Sequence, residues 1–241
     1  MRGALALLVA ATSVSCGDDG VSSTDATVND AHVIDAMIDA MIDAPAGPCG
    51  ADVQLTGEYI DWDSTLAAFD GVENATWQVA GGPMAMTAPN GRILLCLPAG
   101  ATSQIDVTQP DYLPARVVAD PAVFAPPGSL FSVRGLKVGT EVDQFREFGV
   151  TFDPAAAQVL VYKIGAAIPL ALVPAVAPSE GTFVSDGSDD ITWTAGSTGK
   201  LTLFPNRSVG AGTATLSSTS AFAGPTALPL AAGRFTIAII R

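Results

Sequence analysis

The segment Pro89-Asn90-Gly91-Arg92-Ile93-Leu94-Leu95-Cys96-Leu97 indicates the fold class most directly. Asn-Gly favours a tight turn between antiparallel strands, and the apolar run that follows has the length of a strand. Because strand residues alternate between faces, Ile93, Leu95 and Leu97 are predicted to face a core. Cys96 is then predicted to face outward. We therefore expect a β-hairpin here, within an all-β protein.

Other short apolar runs with the same character occur along the chain at intervals set by glycine and proline. Such spacing is typical of β-sandwiches. The predicted strands are 53–60, 74–79, 93–97, 105–108, 131–133, 150–152, 159–162, 191–193, 201–204, 213–216 and 235–240. No helix of normal length is predicted after residue 48.

The first group of these strands resembles the carboxypeptidase regulatory-like family, a transthyretin-like β-sandwich module. The similarity lies in five pieces that occur in the family's order: Leu55-Thr56-Gly57, Gly71-Val72-Glu73-Asn74-Ala75-Thr76, Pro89-Asn90-Gly91-Arg92-Ile93, Leu97-Pro98-Ala99-Gly100 and Pro110-Asp111-Tyr112-Leu113. The resemblance implies an accessory module of secreted and surface proteins, and it implies no catalytic residues.

The chain is therefore expected to have four parts. Residues 1–15 are predicted to be a signal peptide, and residues 16–48 a lipid-anchored, disordered linker rich in Asp and Ala. Residues 49–125 are predicted to form the carboxypeptidase regulatory-like β-sandwich. Residues 126–241 are predicted to form a second small β-sandwich, immunoglobulin-like or transthyretin-like, with Pro126-Pro127-Gly128 at the boundary.

The leader has Arg2, an apolar run over 4–11 and a small residue, Ser15, before Cys16. The apolar run is far shorter than the ~20 residues that span a bilayer, so it predicts a signal peptide. Its end resembles a bacterial lipoprotein signal, which implies a lipid on Cys16 and a location in the cell envelope, at the outer membrane or cell surface. Ser13 departs from that pattern, and an ordinary secretory signal cut after Ser15 is the alternative.

Charge narrows the range of partners. The formal net charge is −13, and residues 17–48 hold seven Asp and no Lys or Arg. Nucleic acid is excluded as an expected partner, because a phosphate backbone requires several basic residues. The expected partners are the membrane, through the lipid on Cys16, and a glycan or an envelope protein.

The chain has three cysteines. Lipidation of Cys16 leaves Cys49 and Cys96 as an even pair, and an exported protein folds in an oxidising compartment. We predict a disulfide between them, with two unpaired thiols as the alternative.

Five aspartates are weak candidates for calcium ligands: Asp61, Asp63, Asp186, Asp189 and Asp190. Calcium requires six to eight oxygen ligands, and neither cluster has the spacing of an EF-hand. Aspartate, serine and glycine are also the residues of β-turns, which is the preferred interpretation. No cofactor and no metal are predicted.

Trp62, Trp77 and Trp193 are candidates for a sugar-binding surface. Trp77 and Trp193 are predicted to lie in the core because they fall within strands. Trp62 lies between two aspartates in a predicted loop, so it is the one expected to be exposed and the weak candidate for binding.

No arrangement of catalytic residues is evident. The single histidine, His32, lies in the linker, and Ser197-Thr198-Gly199-Lys200 matches S-x-x-K only within a predicted turn. We expect a non-enzymatic envelope lipoprotein that acts as a binding, adhesion or display module. The alternative is a surface hydrolase, for example one active on glycans, in which two carboxylates converge in a cleft.

Overall fold

The computed structural model describes residues 49–64, 70–124, 130–173, 181–187 and 192–241. The predicted signal peptide, Cys16, the linker, the boundary at Pro126-Pro127-Gly128, and Asp189 and Asp190 lie outside these residues. The strands, in chain order, are β1 (Val53–Asp61), β2 (Thr76–Val79), β3 (Met84–Met86), β4 (Arg92–Leu97), β5 (Ser103–Thr108), β6 (Ala115–Ala119), β7 (Leu130–Gly135), β8 (Ala157–Lys163), β9 (Ile168–Pro169), β10 (Ala171–Val173), β11 (Phe183–Ser185), β12 (Thr194–Ala195), β13 (Thr198–Gly199), β14 (Leu201–Arg207), β15 (Thr213–Ser217), β16 (Ala227–Pro229) and β17 (Phe235–Ile240).

Among the described residues, two short helices accompany the strands: a 3-10 helix at Pro121–Phe124 and the α-helix α1 at Glu141–Glu147. The all-β prediction is therefore confirmed. In the described part of the chain, neither helix has the length and apolar character needed to cross a bilayer.

A nine-stranded sheet forms the centre of the protein, in the order β12-β11-β14-β8-β17-β6-β5-β2-β3. Two three-stranded sheets, β4-β1-β7 and β10-β15-β16, accompany it, together with the two-stranded β9-β13 pair. The central sheet is mixed, because β17 runs parallel to both of its neighbours, β6 and β8.

The side chains of β17 show how the layers are arranged. Phe235, Ile237 and Ile239 belong to a first buried cluster that also contains the apolar residues of β1, β4 and β7. Ala238 and Ile240, on the opposite face, belong to a second cluster with those of β10, β15 and β16. The central sheet is thus buried on both faces at β17, which explains why this strand is an unbroken apolar run.

The predicted division into two sandwiches at residue 125 is wrong as a division between structural units. Strand β17 lies between β6, from the first predicted domain, and β8, from the second. Strand β7 pairs in parallel with β1 across the same boundary. Residues Ala46–Arg241 accordingly form one compact unit. Parallel strands that are distant in sequence leave no local pattern that predicts their pairing. Proline and glycine occur wherever the chain changes direction, so they do not by themselves mark a domain boundary.

The Asn90-Gly91 turn is present, but it does not close a hairpin of paired strands. Gly91 has φ +74° and donates its N–H to the carbonyl of Ala88 at 2.8 Å. Strand β3 pairs with β2, however, and β4 pairs with β1, so the turn carries the chain from one sheet to another. The Gly91 carbonyl accepts the Tyr59 N–H at 2.8 Å, which holds the turn against β1.

The predicted disulfide between Cys49 and Cys96 is confirmed, with a Cα–Cα distance of 5.3 Å. In β4, Ile93, Leu95 and Leu97 are buried and the residues between them are more exposed. The predicted alternation is therefore also confirmed. Cys49 precedes β1, the strand that pairs with β4, and this pairing brings the two sulfurs together.

The predicted strand at 150–152 is wrong, since this segment is irregular chain after α1. Phe152 is buried and Val150 partly buried without strand pairing, and the ring centroids of Phe152 and Phe145 lie 5.1 Å apart. Apolar character signalled burial here but not backbone conformation.

Candidate functional site

The first aspartate cluster forms a turn after β1, as the preferred interpretation predicted. The Asp61 side chain accepts the Asp63 N–H at 3.1 Å and the Tyr112 hydroxyl at 2.6 Å. The Ser64 N–H is donated to the Asp61 carbonyl at 3.1 Å. Asp61 is buried, and its carboxylate raises the pKa of Tyr112 beyond the effect of burial.

Arg134 holds this turn from the neighbouring strand β7. Its Nη1 donates to the carbonyl oxygens of Trp62 at 2.6 Å and Ser64 at 2.8 Å, and burial lowers its pKa to about 10. The Asp63 carboxylate accepts the Gln144 amide at 3.0 Å. The Trp62 and Ser64 carbonyls and the Asp63 carboxylate thus already accept hydrogen bonds from protein donors. Among the described residues, no group of three or more His, Cys, Asp or Glu could hold a metal ion.

The prediction that Trp62 is exposed is wrong, because its side chain is only 4% exposed. Its ring stacks on Trp193, with 5.4 Å between centroids and 9° between planes, and it also contacts Phe148 and Phe235. Trp62 therefore offers no surface for a sugar. Trp77 is fully buried, as predicted, and Trp193 is partly buried against the same core.

A cavity of about 420 Å³ opens beside β11, β12 and β13, and β12 is an edge strand of the central sheet. Its buried surface is provided by Val184, Ser185 and Gly199. Val184 lies directly opposite Thr194 in β12 and Thr202 in β14. Directly opposite residues in antiparallel strands share a face, so the cavity lies on the face of the sheet that carries Thr202.

Hydroxyl groups and two charged side chains complete the lining. Thr192, Thr194 and Thr198 are exposed to solvent and border the cavity. Asp186 and Lys200 are also exposed and border it. Asp186 is the one carboxylate among the described lining residues, whereas the hydrolase alternative requires two.

The side chain of Lys163, at the end of β8, holds the part of the cavity wall formed by Gly199. Its Nζ donates to the Gly199 carbonyl and, at 2.7 Å, to the Thr202 hydroxyl. The backbone reinforces this arrangement, since Lys200 N–H donates to the Ser185 carbonyl at 2.9 Å. Lys163 is almost fully buried, and desolvation lowers its pKa to about 8.

Lys163→Met is expected to remove a rise in stability above pH 8. Between its folded pKa of about 8 and the ordinary value of 10.5, the unfolded wild-type chain binds a proton that the folded chain has released. Stability therefore rises with pH in this window. The wild-type minus K163M difference in unfolding free energy should grow by about 2 kcal/mol between pH 7 and pH 9.5.

Urea unfolding at several pH values measures this difference. Lys200→Met, which removes an exposed lysine, is the control for the loss of a positive charge and is expected to follow the wild-type curve. A constant difference between wild type and K163M from pH 7 to pH 9.5 would contradict the prediction.

Lys163, Thr192 and Thr194 were not predicted as site residues, and Thr198 was noted only within the Ser197-Thr198-Gly199-Lys200 turn. The pattern Thr192-Trp193-Thr194 could have indicated the cavity threonines, because they flank an indole that packs on the core. No sequence pattern points to Lys163, since it only follows the apolar run Val159-Leu160-Val161-Tyr162. Of the second aspartate cluster, the structure places Asp186 at the cavity.

No protein-family model matches the chain, and no curated protein matches it. Among solved structures, it is similar to the Bacillus anthracis TIE protein at 11% identity, covering 80% of this chain and 34% of that one, with a TM-score of 0.27. It is also similar to the shaft pilin SpaA from Lactobacillus rhamnosus GG at 10% identity, covering 78% of this chain and 97% of that one, with a TM-score of 0.25. The chain thus spans about a third of the TIE protein. At these TM-scores the similarities carry no functional argument.

Proposed function

We propose that the protein is an exported, non-enzymatic module of the cell envelope that serves binding, adhesion or display. The observation that carries this proposal is the Cys49–Cys96 disulfide, because such bonds form and persist in oxidising compartments outside the cytosol. The bond joins the residues just before β1 to β4 and so secures the start of the folded unit.

The anchor in this proposal is a lipid on Cys16. A short apolar leader directly before this cysteine supports the assignment, as does the pairing of the other two cysteines with each other. Lipidation with two or more chains gives stable attachment, whereas a single chain does not. Residues 17–48, behaving as a flexible coil, would extend about 30 Å, which would hold the β-sandwich away from the membrane.

The resemblance of residues 49–125 to carboxypeptidase regulatory-like modules fits an accessory role for this protein. These residues supply β1 and β4 to one sheet and β2, β3, β5 and β6 to the central sheet, an arrangement of facing β layers. The partner in this proposal is a glycan or another envelope component.

Cys16→Ala is expected to abolish labelling of the protein by a palmitate analogue and to move it from the membrane fraction to the soluble fraction. The wild type should be labelled and membrane-bound, because the lipid is proposed as its only anchor. Metabolic labelling followed by fractionation measures both properties.

The matched control is Cys49→Ala with Cys96→Ala, which removes the two disulfide-bonded cysteines and should leave labelling intact. Equal labelling of the wild type and Cys16→Ala would contradict the anchor. So would a wild type found wholly in the soluble fraction.

A further inference from the structure

The cavity beside β11 and β13 has the dimensions and chemistry of a binding site. Its volume of about 420 Å³ falls within the range of small-molecule sites. It combines a buried surface from Val184 and Gly199 with a polar border.

The border is dominated by hydroxyl groups. Thr192, Thr194 and Thr198 stand around the opening and Ser185 lies deeper. A hydroxyl side chain both donates and accepts hydrogen bonds, so four of them match a ligand whose own groups also do both. Sugars have this property at nearly every carbon, and their C–H faces can pack on Val184.

The site is also held in shape before any ligand binds. Lys163 fixes the Gly199 carbonyl, and the Ser197 carbonyl accepts the Leu170 N–H at 2.9 Å. The two-stranded β9–β13 pair therefore keeps Thr198 in place above the sheet. A rigid site loses less conformational freedom on binding, which favours affinity for a small ligand.

We propose that this cavity binds a neutral glycan unit of one or two sugar rings, through the hydroxyls of Thr194 and Thr198. The inference rests on the proposed binding function and assigns that function a place and a ligand class.

The test measures binding of the full chain to three neutral disaccharides: maltose, cellobiose and N,N′-diacetylchitobiose. Saturation-transfer NMR identifies the binder and calorimetry gives its Kd. The variant T194V/T198V removes two hydroxyls and keeps the side-chain shape. We expect saturable binding of at least one disaccharide by the wild type and about a tenfold weaker Kd in the variant, as the loss of two neutral hydrogen bonds implies.

Thr215→Val is the matched control, because Thr215 is an exposed strand threonine in β15 that does not line the cavity. It should bind like the wild type. An unchanged Kd in T194V/T198V would overturn the cavity assignment, as would the absence of saturable binding to all three disaccharides.

A parallel assay on isolated cell envelopes separates this inference from the proposed function. If the wild type and T194V/T198V bind envelopes equally, the cavity assignment is overturned while the binding function stands. If the wild type binds neither envelopes nor any disaccharide, both are overturned.

Discussion

Replacement of Cys96 by serine is expected to lower the free energy of unfolding by about 4 kcal/mol. The disulfide closes a loop with a sequence separation of 47, and in the chain-entropy model its loss gives the unfolded chain about that much additional freedom. For a folded unit of this size, the melting temperature should fall by about 10 °C. Thermal and urea unfolding of the oxidised protein measure the effect.

Two comparisons make this result specific. The double variant C49S/C96S should match the single variant, and a reducing agent should destabilise the wild type while leaving both variants unchanged. Cys16→Ala should unfold like the wild type. A loss of less than 1 kcal/mol in Cys96→Ser would show that the bond does not constrain the unfolded chain as the model requires.

Gly57→Ala is expected to cost about 3 kcal/mol, because the new methyl group meets an aromatic ring. A Cβ at Gly57 would lie 2.4 Å from two ring atoms of Phe131, its partner in β7. Phe131 is 1% exposed and is itself packed against Trp77 and Phe124. The ring cannot withdraw without disturbing these neighbours, and overpacking of this kind typically costs 1–3 kcal/mol or more.

A double-mutant cycle tests the cause. Phe131→Leu makes room beside Gly57, so G57A/F131L should be more stable than the sum of the two single changes implies. Gly210→Ala is the control, because its Cβ would meet only the Ser208 hydroxyl at 3.7 Å; its effect should stay within about 0.5 kcal/mol. Additive effects in the cycle would rule out the Phe131 clash as the source.

Local patterns predicted strands such as β1, β4 and β17, where a residue's environment is set by its neighbours in sequence. They did not predict β6, β10, β11 or β16. The alternation at Ile93, Leu95 and Leu97 correctly placed the core side of β4 and left Cys96 on the other side, where Cys49 reaches it. Assigning one of the three cysteines to lipidation left Cys49 and Cys96 as the expected disulfide pair. Both inferences needed only chain geometry and cysteine chemistry.

Features that depend on distant partners were not predictable in the same way. Trp62 looked exposed because aspartates flank it, yet it stacks on Trp193, 131 positions further along the chain. The side chains of Asp61 and Asp63 accept hydrogen bonds from Tyr112 and Gln144, which are too distant in sequence to be inferred from the local pattern. The same limitation produced the two-domain prediction, because the pairing of β17 with β6 joins residues far apart.

The candidate site was predictable from the sequence only in part. Asp186 was singled out for its charge, and it does border the cavity, although with hydroxyl groups rather than with the ligand set that calcium needs. Lys163 could not have been found, since a lysine at the end of an apolar strand normally extends into solvent. In the folded protein, its amine instead donates a hydrogen bond to the Gly199 carbonyl in β13, and the side chain is buried.

The position of β17 has a consequence for how the protein is made. Its neighbours β6 and β8 are both synthesised earlier, yet they are joined to each other only through β17. Until residues 235–240 have left the ribosome, the strands of the central sheet form two separate sets, each with an open edge where β17 will pair. The native pairing of the central sheet therefore cannot be completed before β17 has been made, and β17 is the strand that turns two separate sets of strands into one sheet.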